Sequence, residues 1–409
     1  MTTINKKNQF FTKKSVSIIG GGPAAMMVAA SLDEKKFNVT IYEKNNVLGR
    51  KFLVAGDGGL NLTHADKSTL LISRYIPTTF FNPIISSFNN TDFRNWLHSI
   101  GIKTFIGSSN RVFPLKEIKP IEVLNAILNL LNKKNVAINI KHKWKGWIND
   151  DIIFETANDI VQIKSDLVIF ALGGSSWKIT GSDGEWTKYF SKKNIDIVPF
   201  EASNCAFEIK WDKEFISLAD GKSLKNSTFK CGDIEKKGEV VITKFGLEGS
   251  AIYALSSQIR KQLAEANAAQ LFIDLKPSLK IEDIKNKIIN RGNNSISKHL
   301  ENELNINQLQ LALLKTVLSK NEFTNMELLS EKIKNLPLSI TSLAPINEAI
   351  STVGGIALNE IDELFQLKKL PNNYTIGEMI NWDAPTGGYL LQGCFSMGYY
   401  LAMELNKLE

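Results

Sequence analysis

Residues 15–43 constrain this chain more than any other stretch. Ser15–Ile19 (SVSII) is short, apolar and β-branched, the composition of a strand buried on both faces. Gly20-Gly21-Gly22-Pro23-Ala24-Ala25 follows in the spacing GxGxxA, and Ala24–Leu32 reads as a helix. Asn38–Tyr42 (NVTIY) reads as a second strand and ends at Glu43. Together these pieces form a βαβ unit in which each part has a task. Gly20 makes the tight turn, Gly22 lets backbone approach a pyrophosphate, and Ala25 allows the helix to pack closely on the strand. The helix N-terminus faces the phosphates and Glu43 accepts ribose hydroxyls. The expected ligand is a dinucleotide.

The next segment bears on which dinucleotide. Glu43-Lys44, four residues, then Gly49-Arg50-Lys51 resembles an element of flavoproteins of the glutathione-reductase type. In those proteins the basic residue lies near the pyrophosphate and the following loop runs towards the isoalloxazine ring. Here that loop is Arg50–His64 (RKFLVAGDGGLNLTH), which would carry Gly56, Asp57, Gly58, Gly59, Leu60 and Asn61 along the flavin. Its glycines suggest backbone held close to a ligand, and no Gly-Lys-Ser/Thr follows them to make a Walker A loop.

Two distant segments agree. Ser165–Phe170 is strand-like and leads into Ala171-Leu172-Gly173-Gly174, similar to the ATG element of a crossover strand returning to the cofactor. Tyr374–Glu378 resembles the strand with Gly-Asp that closes such sites, with Gly377 and Glu378 in those places. Pro385-Thr386-Gly387-Gly388-Tyr389 then opens a helix running to about Leu405. Its N-terminal amides would face the flavin's pyrimidine carbonyls and stabilise negative charge on the reduced ring. FAD is therefore the expected cofactor. No second GxGxxG lies between a strand and a helix, so NAD(P)H would serve only as a transient reductant docking in the substrate cleft, unless another donor reduces the flavin.

The motifs IIGGGPAA, GRKFLVAGDGGLNLTH, RVFP (111–114), ALGGSSW (171–177), EAISTVGGIALNEID (348–362) and GEMINWDAPTGGYLLQG (377–393) together resemble the BaiN/YhiN-type (BaiN/RdsA-like) flavoproteins over nearly the whole chain. The resemblance implies an α/β fold: a discontinuous Rossmann-type FAD-binding domain with an inserted β-rich, barrel-like domain and a small helical module. The residue patterns suggest the same division. The FAD-binding domain is expected at 1–198 and 340–409, the β-rich insertion at 199–278 and the helical module at 279–339. Residues 199–277 offer short strand-like pieces (NCAFEI, GEVVIT, AQLFIDL) with little helical periodicity, whereas 279–336 is helical in pattern. The resemblance also places Thr352, Gly354 and Gly355 close to the flavin.

In much of that family the glycine loop reads GGGRCN, with a cysteine that could act as proton donor. This chain has Leu60 at that position, so a thiol-based acid is lost there while the backbone role survives. Candidates for the substrate pocket are Asn61, Arg111 and Tyr389. Asn61 could orient substrate or flavin, or form an Asx turn. Arg111 could bind an anionic group or make a surface ion pair. Tyr389 could pack on the flavin, donate a hydrogen bond or belong to the core. Trp177 and Trp382 read as core residues.

Family members are associated with reduction of enone-like double bonds, of uracil rings within ribosomal RNA, and with amine oxidation. The resemblance thus implies an FAD-dependent oxidoreductase acting on an activated C=C bond, in a small molecule or carried by RNA. An oxygen-using amine oxidase and an FAD-binding RNA-associated protein are the alternatives. The net charge of +7 is the motive for the last, although the KK runs are scattered and lack interleaved aromatics.

Three distant cysteines without CxxC, and four histidines without ligand spacing, argue against a disulfide framework or zinc site. Lys13-Lys14 and the apolar run after it imitate a signal peptide, but three glycines interrupt that run. No apolar run reaches membrane-spanning length, and the expected location is the cytoplasm. The abundant asparagine is assigned no function.

Overall fold

The computed structural model describes residues 12–54, 59–289, 292 and 294–408. They form two compact units: 1–201 with 352–409, and 202–351.

The first unit is built on five parallel strands. In chain order these are β1 (Lys14–Ile19), β2 (Phe37–Glu43), β3 (Ala137–Ile140), β4 (Leu167–Phe170) and β5 (Asn373–Thr375), and in space they run β5–β4–β1–β2–β3. Interior strand β4 (LVIF) is buried along its whole length, as an apolar parallel strand covered on both faces must be. Helix α1 (Pro23–Ser31) follows β1, and helix α2 (Tyr389–Leu405) follows β5. Every residue of α1 from Ala24 to Ala30 is buried, because the helix is enclosed by the sheet and α2. A Cβ at Gly398 of α2 would lie 2.5 Å from the Ala24 carbonyl oxygen, so glycine there lets the two helices approach. The C-terminal ends of β1, β2, β4 and β5 open into Gly20, Lys44, Ala171 and Ile376, on the edge where α/β sheets bind ligands.

The first unit also carries a short antiparallel sheet of Thr63–His64, Arg111–Pro114 and Thr104–Ile106. In it His64 lies opposite Arg111.

The second unit has a seven-stranded antiparallel sheet in the order 336–340, 269–274, 223–231, 234–242, 246–248, 207–208, 342–343. Its two edge strands are separated in sequence by Thr341 alone, so the sheet must curl until its edges nearly meet. The sheet is thus barrel-like. Helices at 281–289, 296–304, 308–317, 320–324 and 326–334 follow the helical pattern of that stretch. Three further helices, Lys213–Ala219, Ser250–Tyr253 and Ser256–Ala266, interrupt a stretch whose sequence reads as strands and turns.

Candidate functional site

The cavity lies in the first unit, at the C-terminal edge of the parallel sheet, and its walls come from seven separate stretches of the chain. Gly20–Ala24 form the floor. Gly20 has φ +105°, and a Cβ there would sit 2.4 Å from the Ala171 carbonyl oxygen. Only glycine can occupy that turn against the returning strand. Gly22 differs. Its φ is −83°, it is the N-cap of α1, and no side chain caps the helix. A Cβ at Gly22 would meet no protein atom within 4 Å. The uncapped helix end thus opens onto free space, which suits an anionic pyrophosphate.

Glu43 is buried at the end of β2. Its Oε2 accepts from the Gly21 amide at 2.8 Å, and its Oε1 accepts from the Asn45 amide (2.8 Å) and Nδ2 (2.6 Å). The carboxylate therefore braces the glycine turn as well as facing the cavity. Gly49, at φ +71°, donates its amide to the Gly21 carbonyl and locks the following loop to the same turn.

The basic residues of that loop are paired. Lys44 Nζ lies 2.7 Å from Asp183 Oδ2, and Lys51 Nζ donates to Ser176 Oγ (2.9 Å) and Glu378 Oε2 (3.1 Å). Arg50 donates to Asn45 Oδ1 at 3.1 Å. Ala171, Leu172, Gly173, Gly377 and Glu378 also line the cavity.

Thr352, Gly354 and Gly355 lie elsewhere. Thr352 Oγ1 accepts from the Ser175 amide at 3.1 Å. A Cβ at Gly354 or Gly355 would strike the backbone of Pro199 or Met379, so both glycines serve close strand contacts. Gly56, Asp57 and Gly58 are outside the described residues.

The sequence reading missed one wall of the cavity. Thr180, Gly181, Ser182, Asp183, Glu185 and Trp186 line it from the stretch that follows Gly173, together with His142 and Trp144. The available signal was Gly181-Ser182-Asp183-Gly184, a Ser-Asp pair bracketed by glycines directly after the crossover.

A second polar group surrounds the start of α2. Gly387 and Gly388 have φ near +100°, and a Cβ at Gly388 would lie 2.6 Å from the Thr63 backbone. Tyr389 donates from its hydroxyl to Asp66 Oδ2 at 2.6 Å, and its ring stacks on His64 with centroids 4.9 Å apart. His64 Nδ1 is 3.1 Å from Asp66 Oδ1 without hydrogen-bond alignment, and Arg74 Nε is 3.5 Å from Asp66 Oδ2. Arg111 Nε lies 3.3 Å from where a Gly387 Cβ would be. Burial lowers the His64 pKa; Asp66 opposes that shift, while the charges of Arg74 and Arg111 add to it. Burial, then the hydrogen bond to Asp66, raises the Tyr389 hydroxyl well above its usual range.

Asn61 Oδ1 is buried with no partner among the described residues, and Leu60 is buried. The structure therefore brings Arg111 and Tyr389 together with His64, Asp66 and Arg74, three residues the sequence did not single out. Cys394 lines the nucleotide cavity, and burial raises its thiol pKa. Among the described residues no helix could cross a membrane and no His, Cys, Asp and Glu cluster could hold a metal.

A parallel sheet whose glycine turns converge on an uncapped helix end, with an acid closing the second strand, defines a Rossmann-type dinucleotide-binding protein of the α/β class. The HI0933-like protein Rossmann domain profile matches residues 14–404, and the chain belongs to that family of FAD-dependent oxidoreductases.

It is 22% identical over 400 residues to a 3-dehydro-bile acid delta(4,6)-reductase of Clostridium scindens, covering 94% of this chain and 97% of that one. It is 21% identical to a ribosomal RNA dihydrouridine synthase of Escherichia coli, covering 95% and 97%. Among solved structures, 3-ketosteroid-delta4-(5alpha)-dehydrogenase from Rhodococcus jostii aligns over 99% of both chains, with a TM-score of 0.53 at 11% identity. That last likeness concerns the fold alone.

Proposed function

We propose that this protein reduces an activated C=C bond, conjugated to a carbonyl as in an enone or a uracil ring, in a small molecule or in RNA. The observation that carries the reading is the polar group at the start of α2. The Arg111 guanidinium has no hydrogen-bond or ion-pair partner among the described residues, and it stands beside Gly387 on a strand opposite His64. The names of two relatives, a bile acid delta(4,6)-reductase and a dihydrouridine synthase, point to the same bond type.

FAD, when bound and reduced, supplies the hydride. The cavity residues fit that cofactor: open space at Gly22, the uncapped α1 N-terminus, and Glu43 at the end of β2. Arg111 is suited to hold a carbonyl oxygen on which negative charge develops. Asp66 fixes the Tyr389 hydroxyl and draws the His64 ring towards itself. The neighbouring carbon needs a proton that Leu60 cannot give. His64 carries the imidazole of the group, and we assign that delivery to its protonated form, which burial disfavours and the neighbouring Asp66 favours. NAD(P)H is one candidate reductant for the flavin.

The test is anaerobic reduction of the bound flavin, followed by addition of a 4-en-3-one steroid or uridine-containing ribosomal RNA. Reoxidation by either probe supports the proposal. Reoxidation only by oxygen, with peroxide released in the presence of an amine, would favour an amine oxidase. Binding of ribosomal RNA without reoxidation, weakening steeply with salt, would favour an RNA-associated role.

A further inference from the structure

The backbone that carries His64 and Asp66 is held from two sides. On one, the Leu62 amide donates to the Val112 carbonyl at 2.9 Å and the Ala65 amide to the Asn110 carbonyl at 2.7 Å, tying the segment to the strand Arg111–Pro114. On the other stands Asn90, the first residue of the helix Asn90–Ser99 and 7% exposed. Its Nδ2 donates to the His64 carbonyl at 2.6 Å and to the Asp66 carbonyl at 2.9 Å. Its Oδ1 accepts from the Thr91 amide at 3.1 Å, so every partner agrees on which way the side chain points.

A side-chain amide has two N–H donors, and Asn90 uses both on carbonyls two residues apart. In an extended chain, carbonyls i and i+2 turn to the same side, and side chains i and i+2 share a face. The pairing of Thr63–His64 with the neighbouring strand ends at His64, and the Asn90 bonds carry the same alternation on to Asp66. The result is an imidazole beside a carboxylate, with Nδ1 and Oδ1 3.1 Å apart. The Asp66 carboxylate is thereby also within reach of the Tyr389 hydroxyl and Arg74. The His64 side chain keeps 14% of its surface exposed, so it is held without being sealed from protons.

We infer that Asn90 is a positioning residue of this site, whose amide clamps the His64 and Asp66 carbonyls and so fixes the imidazole against its carboxylate. This rests on the assignment of proton delivery to His64 and adds the residue that places it. Asn89 next to it does different work. It caps the helix, its side chain accepting from the Thr91 and Asp92 amides, and makes no part of the clamp.

The charged and titratable groups that face His64 are Asp66, Arg74, Arg111 and Tyr389. Burial lowers its pKa, Asp66 and a hydrogen bond with the Ser109 backbone raise it, and Arg74 and Arg111 lower it, for a net fall. A ring released from the clamp returns upward, towards the ordinary value of histidine.

The experiment takes the full-length protein with its flavin and follows its four histidines by NMR through a pH titration, His64 being identified by the signal lost in His64→Gln. Asn90→Leu, similar in size but without donors, should raise the His64 pKa by about half a unit or more. Asn90→Ser keeps a single donor and should move it the same way by less. Asn89→Ala should lower the melting temperature through the lost cap and leave the His64 pKa where it is. An unchanged His64 pKa in Asn90→Leu would overturn the inference; should that variant not fold, Asn90→Ser decides in the same way. An equal rise in Asn89→Ala would overturn it too, since the helix rather than the amide would then be responsible. The titration needs no turnover. A wild-type flavin that neither the steroid nor the RNA reoxidises would overturn the reduction reading, and the Asn90 result would be read independently of it.

Discussion

Gly20 and Gly22 look alike in sequence and are opposites in the structure. Gly20 is demanded by the protein, since its φ is +105° and a side chain would meet the Ala171 carbonyl. Gly22 has an unremarkable φ and open space where a Cβ would point, so its constraint comes from the ligand. The two should therefore fail differently. Gly22→Val is expected to keep the cofactor-free melting temperature of the wild type and to purify without flavin absorbance. Gly20→Ala is expected to lose about 2 kcal/mol of stability or more, from backbone strain and the clash. Thermal melts and visible spectra of the two variants check this, and a Gly22→Val protein that stays yellow would refute the ligand-facing role. The same residue-by-residue view explains the asparagine content. Nine of the twelve described non-glycine residues with positive φ are asparagine, and Ser295, Asn307, Ser319 and Asn325 cap helices of the second unit. Asparagine suits both places because its short amide tolerates the left-handed region and bonds backbone amides.

At the scale of elements, α2 does two jobs. Its middle packs against α1 through Gly398, and its first turn presents Tyr389 to Asp66. Gly388 sets that first turn against the strand holding Thr63 and His64, at φ +100° and with no room for a Cβ. Gly388→Ala should cost about 2 kcal/mol, lower the melting temperature by several degrees and disturb the Tyr389–Asp66 contact. A melt within 1 °C of the wild type's, on this ~2 kcal/mol expectation, would show that the turn is looser than its geometry implies. The strand–glycine–helix pattern at 15–43 was legible because each piece is local. Short helices such as Ser250–Tyr253 were not, since so few residues form no stable helix alone and depend on the sheet they cover. Trp382 is buried as expected and donates to the Gly377 carbonyl, whereas Trp177 is only partly buried, at φ +57° directly before the turn Lys178–Thr180.

For the whole molecule, the chain leaves the first unit at Glu201 and re-enters it at Thr352. The second unit has its own core, running from Phe207 and Phe229 through Leu271 and Ile273 to Leu313 and Leu329. A fragment spanning 202–351 should therefore melt cooperatively by circular dichroism. It should show no affinity for FAD, because every residue lining the nucleotide cavity belongs to the other unit. A fragment that is unfolded in isolation would make the second unit dependent on the first. The parallel sheet, the glycine turns and the FAD assignment were readable because backbone geometry dictates residue type one position at a time. Gly20 must be glycine wherever such a turn occurs, and β4 must be apolar wherever both its faces are covered. The His64–Asp66–Arg74–Tyr389 group was not readable in that way. Its members lie up to 325 positions apart (389 − 64), and a single aspartate or arginine in a loop carries no periodicity. The same holds for Ser182, which is one serine among many until folding buries its hydroxyl beside Gly173 without a partner among the described residues. Sequence alone determined where backbone must approach a dinucleotide. Only tertiary structure decided which side chains wait there with unmet charge and hydrogen bonds, since burial and distance belong to the folded chain.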